Sequence, residues 1–229
     1  GLLLTAGSLG DRFGRKGALQ FGIVLFAMGS IASALAGSAE QLILTRAFMG
    51  IGGALIMPAT LSILTDVFRN PVERGRAIAV WAGFSGLGVA IGPVIGGLLL
   101  KQFSWSSVFW VNVPLGIFAA YMINRQLKRL PVNHRKHKLD LFGATLMMSG
   151  AIALLLALTW GGVKYPWLST TILSLFGVAV LLTLAFAWRL AHEEEPFLPL
   201  AVLANPVVRW GTAAASCAVS VSIGLTVFM

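Results

Sequence analysis

Carboxylates are scarce in this chain. Its 229 residues include 8 Asp and Glu against 17 Lys and Arg, and charged residues of either sign make up 11% of the total. Soluble domains carry roughly 25%. With 57% hydrophobic residues and a mean hydropathy of +0.86, the chain has more apolar surface than a water-soluble core of this size can hide. Lipid is the expected solvent. Cysteine is nearly absent too. Cys217 alone, inside an apolar run and expected to serve as a small packing residue, excludes an intrachain disulfide and any cysteine-built metal centre. No Ser/His/Asp set, metal cluster or phosphate loop can be assembled, so no enzymatic activity and no cofactor are expected. There is also no initiator Met and no charged leader. The chain starts inside one apolar run and stops inside another at Met229, as expected of a fragment of a longer protein.

Long apolar runs are what the chain does have. A helix crossing a bilayer needs about 20 such residues at 1.5 Å rise each. Residues 1–10 read as the tail of one span. Full spans follow at about 17–36, 42–65, 77–100, 107–124, 139–161 and 168–190, and another opens near 211. This predicts an all-α, polytopic transmembrane bundle.

The loops give the orientation. Fourteen of the 17 cations fall on one side: Arg12, Arg15, Lys16, Arg69, Arg74, Arg76, Arg125, Lys128, Arg129, Arg135, Lys136, Lys138, Arg189 and Arg209. Lys101 and Lys164 fall on the other, with Glu40. That bias makes the first side cytoplasmic. The net charge of +9 is therefore topological and does not indicate a nucleic-acid partner. The seven tryptophans lie near span ends, as an interfacial belt requires. Asp140 is placed to cap the helix that follows the basic loop 125–138. His134 and His137 in that loop, and the run Glu193 to Glu195 beyond the next helix, read as solvated.

Three stretches carry more than topology. Gly7 to Lys16 form a tight, charged turn between two apolar runs, with Asp11, Arg12, Gly14, Arg15 and Lys16 at its centre. Arg46 is the one charge clearly inside a span, about one turn below the outer surface; burying it fully would cost roughly 2.5–3.5 kcal/mol. It either snorkels outward or faces an internal cavity. Gly88, Gly92 and Gly96 recur every fourth residue and so line one helix face, a surface that lets a neighbouring backbone come close. Pro93 removes a backbone donor in the same helix. No Asp or Glu lies deep in any span; Asp66, at an inner helix end, reads as a cap or surface partner.

These stretches resemble motifs of the major facilitator superfamily. Gly7, Leu9, Asp11, Arg12, Gly14, Arg15 and Lys16 match G-x-L-x-D-R-x-G-R-K, the loop associated with conformational gating. Arg46, Gly50 and Gly52 match R-x-x-x-G-x-G, whose arginine the family associates with proton coupling. Gly88, Gly92, Pro93, Gly96 and Gly97 match G-x-x-x-G-P-x-x-G-G, found in the antiporter members. Asp66 to Ala77 resembles the family's cytoplasmic connector, with Glu73 and Arg74 expected to pair. Phe109 to Gly116 resembles a segment of the fourteen-span drug:proton antiporters. Trp105-Ser106-Ser107 departs from that branch's usual Trp-Arg-Trp, so no outer arginine is available there.

The resemblance implies a partial major facilitator fold. Residues 1–124 would be the first six-helix half, lacking its first helix and part of its second, and 125–138 a basic cytoplasmic loop. Residues 139–190 would be an inserted helix pair, 191–210 a linker, and 211–229 the truncated first helix of the second half. The membrane-embedded acid of the branch's first helix would precede Gly1. The implied function is a proton-coupled antiporter exporting amphipathic compounds across the cytoplasmic membrane, its partners being lipid, a small substrate and protons, and its expected state a monomer. The alternatives are an importer or symporter of a small solute such as a sugar or organic acid and, ranked below it, a membrane scaffold in which Arg46 would face lipid.

Overall fold

The structure, a computed structural model, describes Gly10 and residues 14–126, 140–192 and 205–228. Among these residues the regular elements are all helices: α1 (Arg15–Ala34), α2 (Ala39–Val67), α3 (Pro71–Gln102), α4 (Ser107–Trp110), α5 (Asn112–Gln126), α6 (Leu141–Trp160), α7 (Thr170–His192) and α8 (Pro206–Phe228). Six stretches are long and apolar enough to cross a bilayer, namely α1, α2, α3, α4 with α5, α6 and α7. The protein is an all-α, multi-pass membrane protein. Basic loop residues 127–139 and the acidic run Glu193 to Glu195 lie outside the described residues.

Three helices begin earlier than their apolar runs because polar caps start them. The Ser38 side chain accepts from the Gln41 N–H at 3.2 Å, so α2 begins at Ala39 and not near 42. Asn70 accepts from the Val72 N–H at 2.9 Å, with Pro71 preset at the first helical position, so α3 begins at 71 and not near 77. Asn205 does the same for Val207, and α8 starts at Pro206, not near 211. Hydropathy marks where lipid begins; the cap marks where the helix does.

The described residues form two compact units, one holding α1 to α5 and the other α6 to α8. In the first, α1 and α2 are antiparallel neighbours joined along a single seam. Its α1 side is Arg15, Leu19, Gly22, Phe26, Gly29 and Ser33; its α2 side is Asp66, Ile63, Ala59, Ile56, Gly52, Met49 and Thr45. Spacings of three and four residues put each set on one helix face. The middle is too close for side chains. A Cβ on Gly52 would sit 2.6 Å from the Phe26 backbone nitrogen, and one on Gly29 would sit 2.8 Å from the Met49 Cα. Lipid supplies no hydrophobic force between helices, so this backbone contact is the adhesive. Toward the Arg15 end, Leu19, Ile23, Ala59 and Ile63 form a buried cluster that α5 covers with Ala119, Ala120 and Ile123.

The predicted 107–124 span is interrupted. It breaks at Val111, between α4 and α5. Pro114 explains the break: it has no N–H to offer the Trp110 carbonyl, and its ring crowds that carbonyl. By contrast, α3 runs through Pro93 and α2 through Pro58 as single helices.

In the second unit α6 packs on α7 through small residues. Gly150, Ala153 and Ala157 are buried on α6, and Ile172 and Ala179 on α7. A Cβ on Gly150 would already touch Leu182. Both ends of the pair are fastened. At one end Asp140 caps α6, accepting from the Gly143 N–H at 2.8 Å, while Arg189 Nε of α7 lies 3.0 Å from both carboxylate oxygens. The guanidinium also lies 5.1 Å over the Phe142 ring. Burial pushes the Asp140 pKa up, but the bonds from Arg189, Gly143 and Phe142, with the Arg189 charge, outweigh it, and the group titrates below the usual aspartate range. At the other end Trp167 covers Gly161 and Gly162, the latter at φ +75°. Cys217 lies on α8 and is exposed, so its expected packing role has no partner among the described residues.

Two outcomes follow from these contacts. Gly52→Ala should destabilise the detergent-solubilised protein by about 1–3 kcal/mol, the usual cost of overpacking, read as a lower melting temperature; Gly50→Ala, which meets nothing within 4 Å, should not. The Asp140 contact is present at neutral pH and is lost as pH falls through the depressed pKa of the folded state. Melting followed from pH 7 to pH 3 should therefore show an acid-side loss of stability that Asp140→Asn reduces.

Candidate functional site

Charged and polar groups converge at both ends of the α1–α2 seam. At the basic end, Gly14 precedes α1 with φ +93° and ψ +125°, a conformation that a residue with a Cβ adopts only under strain. This gives the second matched glycine of the charged turn a physical reason. The turn it makes starts α1 at Arg15. Arg15 pairs with Asp66 at the end of α2 and donates to the Ser62 carbonyl at 3.1 Å. The Asp66 side chain is 52% exposed, so the pair contributes little stability; it joins two helix ends that the seam has already brought into register. Asp66 is thus a partner, as expected. Lys16 is half-buried one residue on. Gly7, Asp11 and Arg12 lie outside the described residues.

Glu73 and Arg74, expected to pair, do not: the ion pairs among the described residues are Arg15–Asp66 and Arg189–Asp140. The reason is geometric. Consecutive residues on a helix point about 100° apart, and both belong to α3.

At the opposite end, Arg46 projects from α2 beside the seam. Its guanidinium carbon lies 5.8 Å from the centre of the Phe109 ring, and no carboxylate among the described residues pairs with it. Phe109 is buried at 8% exposure on α4. Beneath it lies a set of polar groups that sequence reasoning missed. Ser30 and Ser33 on α1 are fully buried. Ser30 Oγ donates to the Phe109 carbonyl at 2.8 Å and accepts from Asn112 Nδ2 at 3.1 Å. Ser33 Oγ donates to the Gly29 carbonyl at 2.8 Å and lies 3.0 Å from Thr45 Oγ1, the residue before Arg46. The available signal was small polar residues at three- and four-residue steps within an apolar run.

The antiporter-motif helix sits apart from this. A Cβ added at Gly88, Gly92, Gly96 or Gly97 would meet nothing within 4 Å among the described residues. Around Pro93 the helix face is open along its length, with Phe84 72% exposed and Val94 62% exposed. Among the described residues, close backbone approaches between helices are made at Gly22, Gly29 and Gly52. No group of three or more His, Cys, Asp or Glu able to hold a metal occurs among the described residues.

Apolar crossings packed through glycine steps, with paired charges confined to helix ends, define a polytopic membrane protein of the helical-bundle class. Residues 1–229 match the sequence profile of the Major Facilitator Superfamily, and the chain belongs to that superfamily. It is 35% identical to Multidrug resistance protein 3 of Bacillus subtilis, over 87% of this chain and 38% of that protein. It is 35% identical to the Tetracenomycin C resistance and export protein of Streptomyces glaucescens, over 92% of this chain and 39% of the relative. The Methyl viologen resistance protein SmvA of Salmonella typhimurium is also 35% identical, over 100% of this chain and 46% of its own length. The chain therefore spans less than half the length of these relatives.

Glycines at the charged turn should respond in opposite directions. Gly14→Ala forces a Cβ into a positive-φ position and should cost about 1–3 kcal/mol. Gly17→Ala, in the first turn of α1 with nothing within 4 Å, should raise stability by roughly 0.5–1 kcal/mol through helix propensity. Melting temperatures of the two variants in detergent check both signs.

Proposed function

We propose that this chain is part of a two-half transporter that exports amphipathic small molecules across the cell membrane in exchange for protons. The observation that carries the reading is likeness along nearly the whole chain to proteins named for multidrug resistance and for drug resistance and export. The Gly92-Pro93 pattern on α3 supports exchange over symport. In this reading the Arg15 and Asp66 ends of α1 and α2 face the cytoplasm, following the cation bias. The two halves rock about a central cavity between them, alternately open to each side. Asp11 and Arg15 fasten the cytoplasmic side in the outward-open state, and Arg46 tunes proton traffic. Protons, lipid and a small substrate suffice as partners, no cofactor or nucleic acid enters the cycle, and the working unit is a monomer. The importer and scaffold alternatives lack a specific observation in their favour.

Everted membrane vesicles containing the full-length gene product test this. An acid-inside gradient should drive uptake of a cationic dye such as ethidium, and a protonophore should abolish it. Uptake that ignores the gradient would sink the antiport reading. In the same assay Asp11→Asn should lower turnover about tenfold, equivalent to 1.4 kcal/mol of barrier, while dye affinity changes far less. Unimpaired proton-coupled transport in that variant would refute the gating role.

A further inference from the structure

Three residues of the Phe109 to Gly116 segment meet the same face of α1. Phe109 offers its carbonyl to Ser30, Asn112 donates its side-chain amide to the same hydroxyl, and Gly116 leaves space that a Cβ would fill to 3.3 Å from the Ala27 Cβ. Positions 109, 112 and 116 follow the three- and four-residue steps of one helical face. Pro114 leaves the Trp110 carbonyl, next to Phe109, without its helical donor, and the regular helix pauses at Val111 between them.

We propose that Asn112 and Ser30 are positioning residues for Arg46. The Ser30 hydroxyl, with 0% exposure, has one proton to give and gives it to the Phe109 carbonyl. Asn112, by donating to the Ser30 oxygen, keeps that proton aimed at the carbonyl. The pair fixes the Phe109 main chain against α1, and the ring on that main chain stays 5.8 Å from the Arg46 guanidinium. A guanidinium over a ring face is held by the ring's quadrupole. The arginine on α2 is thus oriented by a tether between α1 and the α4–α5 break. Asn112 acts only through Phe109 and touches neither proton nor substrate. Loss of the tether frees the ring and, with it, the guanidinium. The functional part of this inference rests on the reading of Arg46 as the proton-coupling residue; the positioning part does not.

Two measurements separate those parts, both on the full-length gene product. The first is the Arg46 Nε–H resonance in isotope-labelled protein, shifted by the ring current of Phe109 and assigned by its loss in Arg46→Gln. Phe109→Leu removes the shift, and Asn112→Leu and Ser30→Ala should move the resonance toward the same position. If Asn112→Leu leaves the resonance where it was while Phe109→Leu moves it, the tether does not position Arg46 and the proposal falls. The second is gradient-driven dye uptake in everted vesicles. Asn112→Leu should lower turnover about tenfold with dye binding within about twofold, and should lower it no further in an Arg46→Gln background, since both act on one group. Equal losses with and without Arg46 would mark Asn112 as merely structural and overturn the proposal. Arg46→Gln with unimpaired coupled uptake would sink the coupling role and leave the resonance experiment to judge the tether. Asn112→Asp, of the same shape but without amide donors, serves both measurements if Asn112→Leu does not accumulate.

Discussion

The backbone crossing of α1 and α2 at Gly22, Gly29 and Gly52 is the constraint on which the first unit depends. In a bilayer, apolar side chains gain nothing by leaving lipid for one another, so helices adhere where their atoms can come closest. Glycine on both sides brings main chain against main chain. With that distance set, the remaining seam positions fall into register. Thr45 comes beside Ser33, Ala59 and Ile63 beside Leu19 and Ile23, and Asp66 beside Arg15. The charged pair at the basic end and the hydroxyl pair at the other are consequences of one register. A half-exposed ion pair is too weak to impose a register of its own.

Much of the architecture was legible from hydropathy and charge. The six long apolar runs are six membrane-length helical stretches, one of them in two pieces, and Asp140, read as a cap, is one. The helix ends were less legible because hydropathy reports the solvent and caps report the backbone. The break at Val111 was hidden for a similar reason. Pro58 and Pro93 sit within unbroken helices while Pro114 follows a break, and composition treats all three alike. The glycines are the sharper lesson. Gly88, Gly92 and Gly96 form the more regular stripe, yet among the described residues the close helix–helix contacts are made at Gly22, Gly29 and Gly52, which are spread over two segments. A stripe shows what a helix permits. Which helix accepts the invitation depends on a partner elsewhere in the chain. Glu73 and Arg74 failed as a pair on simpler grounds, since adjacency in sequence opposes adjacency in space on a helix.

The site divides by chemistry along the seam. Its basic end holds ionised partners with water at hand, where a contact can be broken and remade at small cost. Its other end holds hydroxyls and an amide with no exposure at Ser30 and Ser33, where every polar group must keep its partner. A contact that costs little to break and one that costs much thus share the same two helices. Arg46 stands where the rigid end meets the break between α4 and α5, its guanidinium facing a ring and not a carboxylate.

The α6–α7 pair has a different logic. Asp140 joins Arg189 at one end, and Trp167 closes over Gly161 and Gly162 at the other, so the two helices form a loop that leaves and returns to the same membrane face. An even number of crossings preserves parity. Such a hairpin can be added to or removed from a polytopic chain without inverting anything downstream, and its joints at Asp140–Arg189 and at Trp167 each tie one of its helices to the other or to the turn between them. A hairpin of this kind is the smallest unit by which a membrane protein can lengthen and keep its orientation.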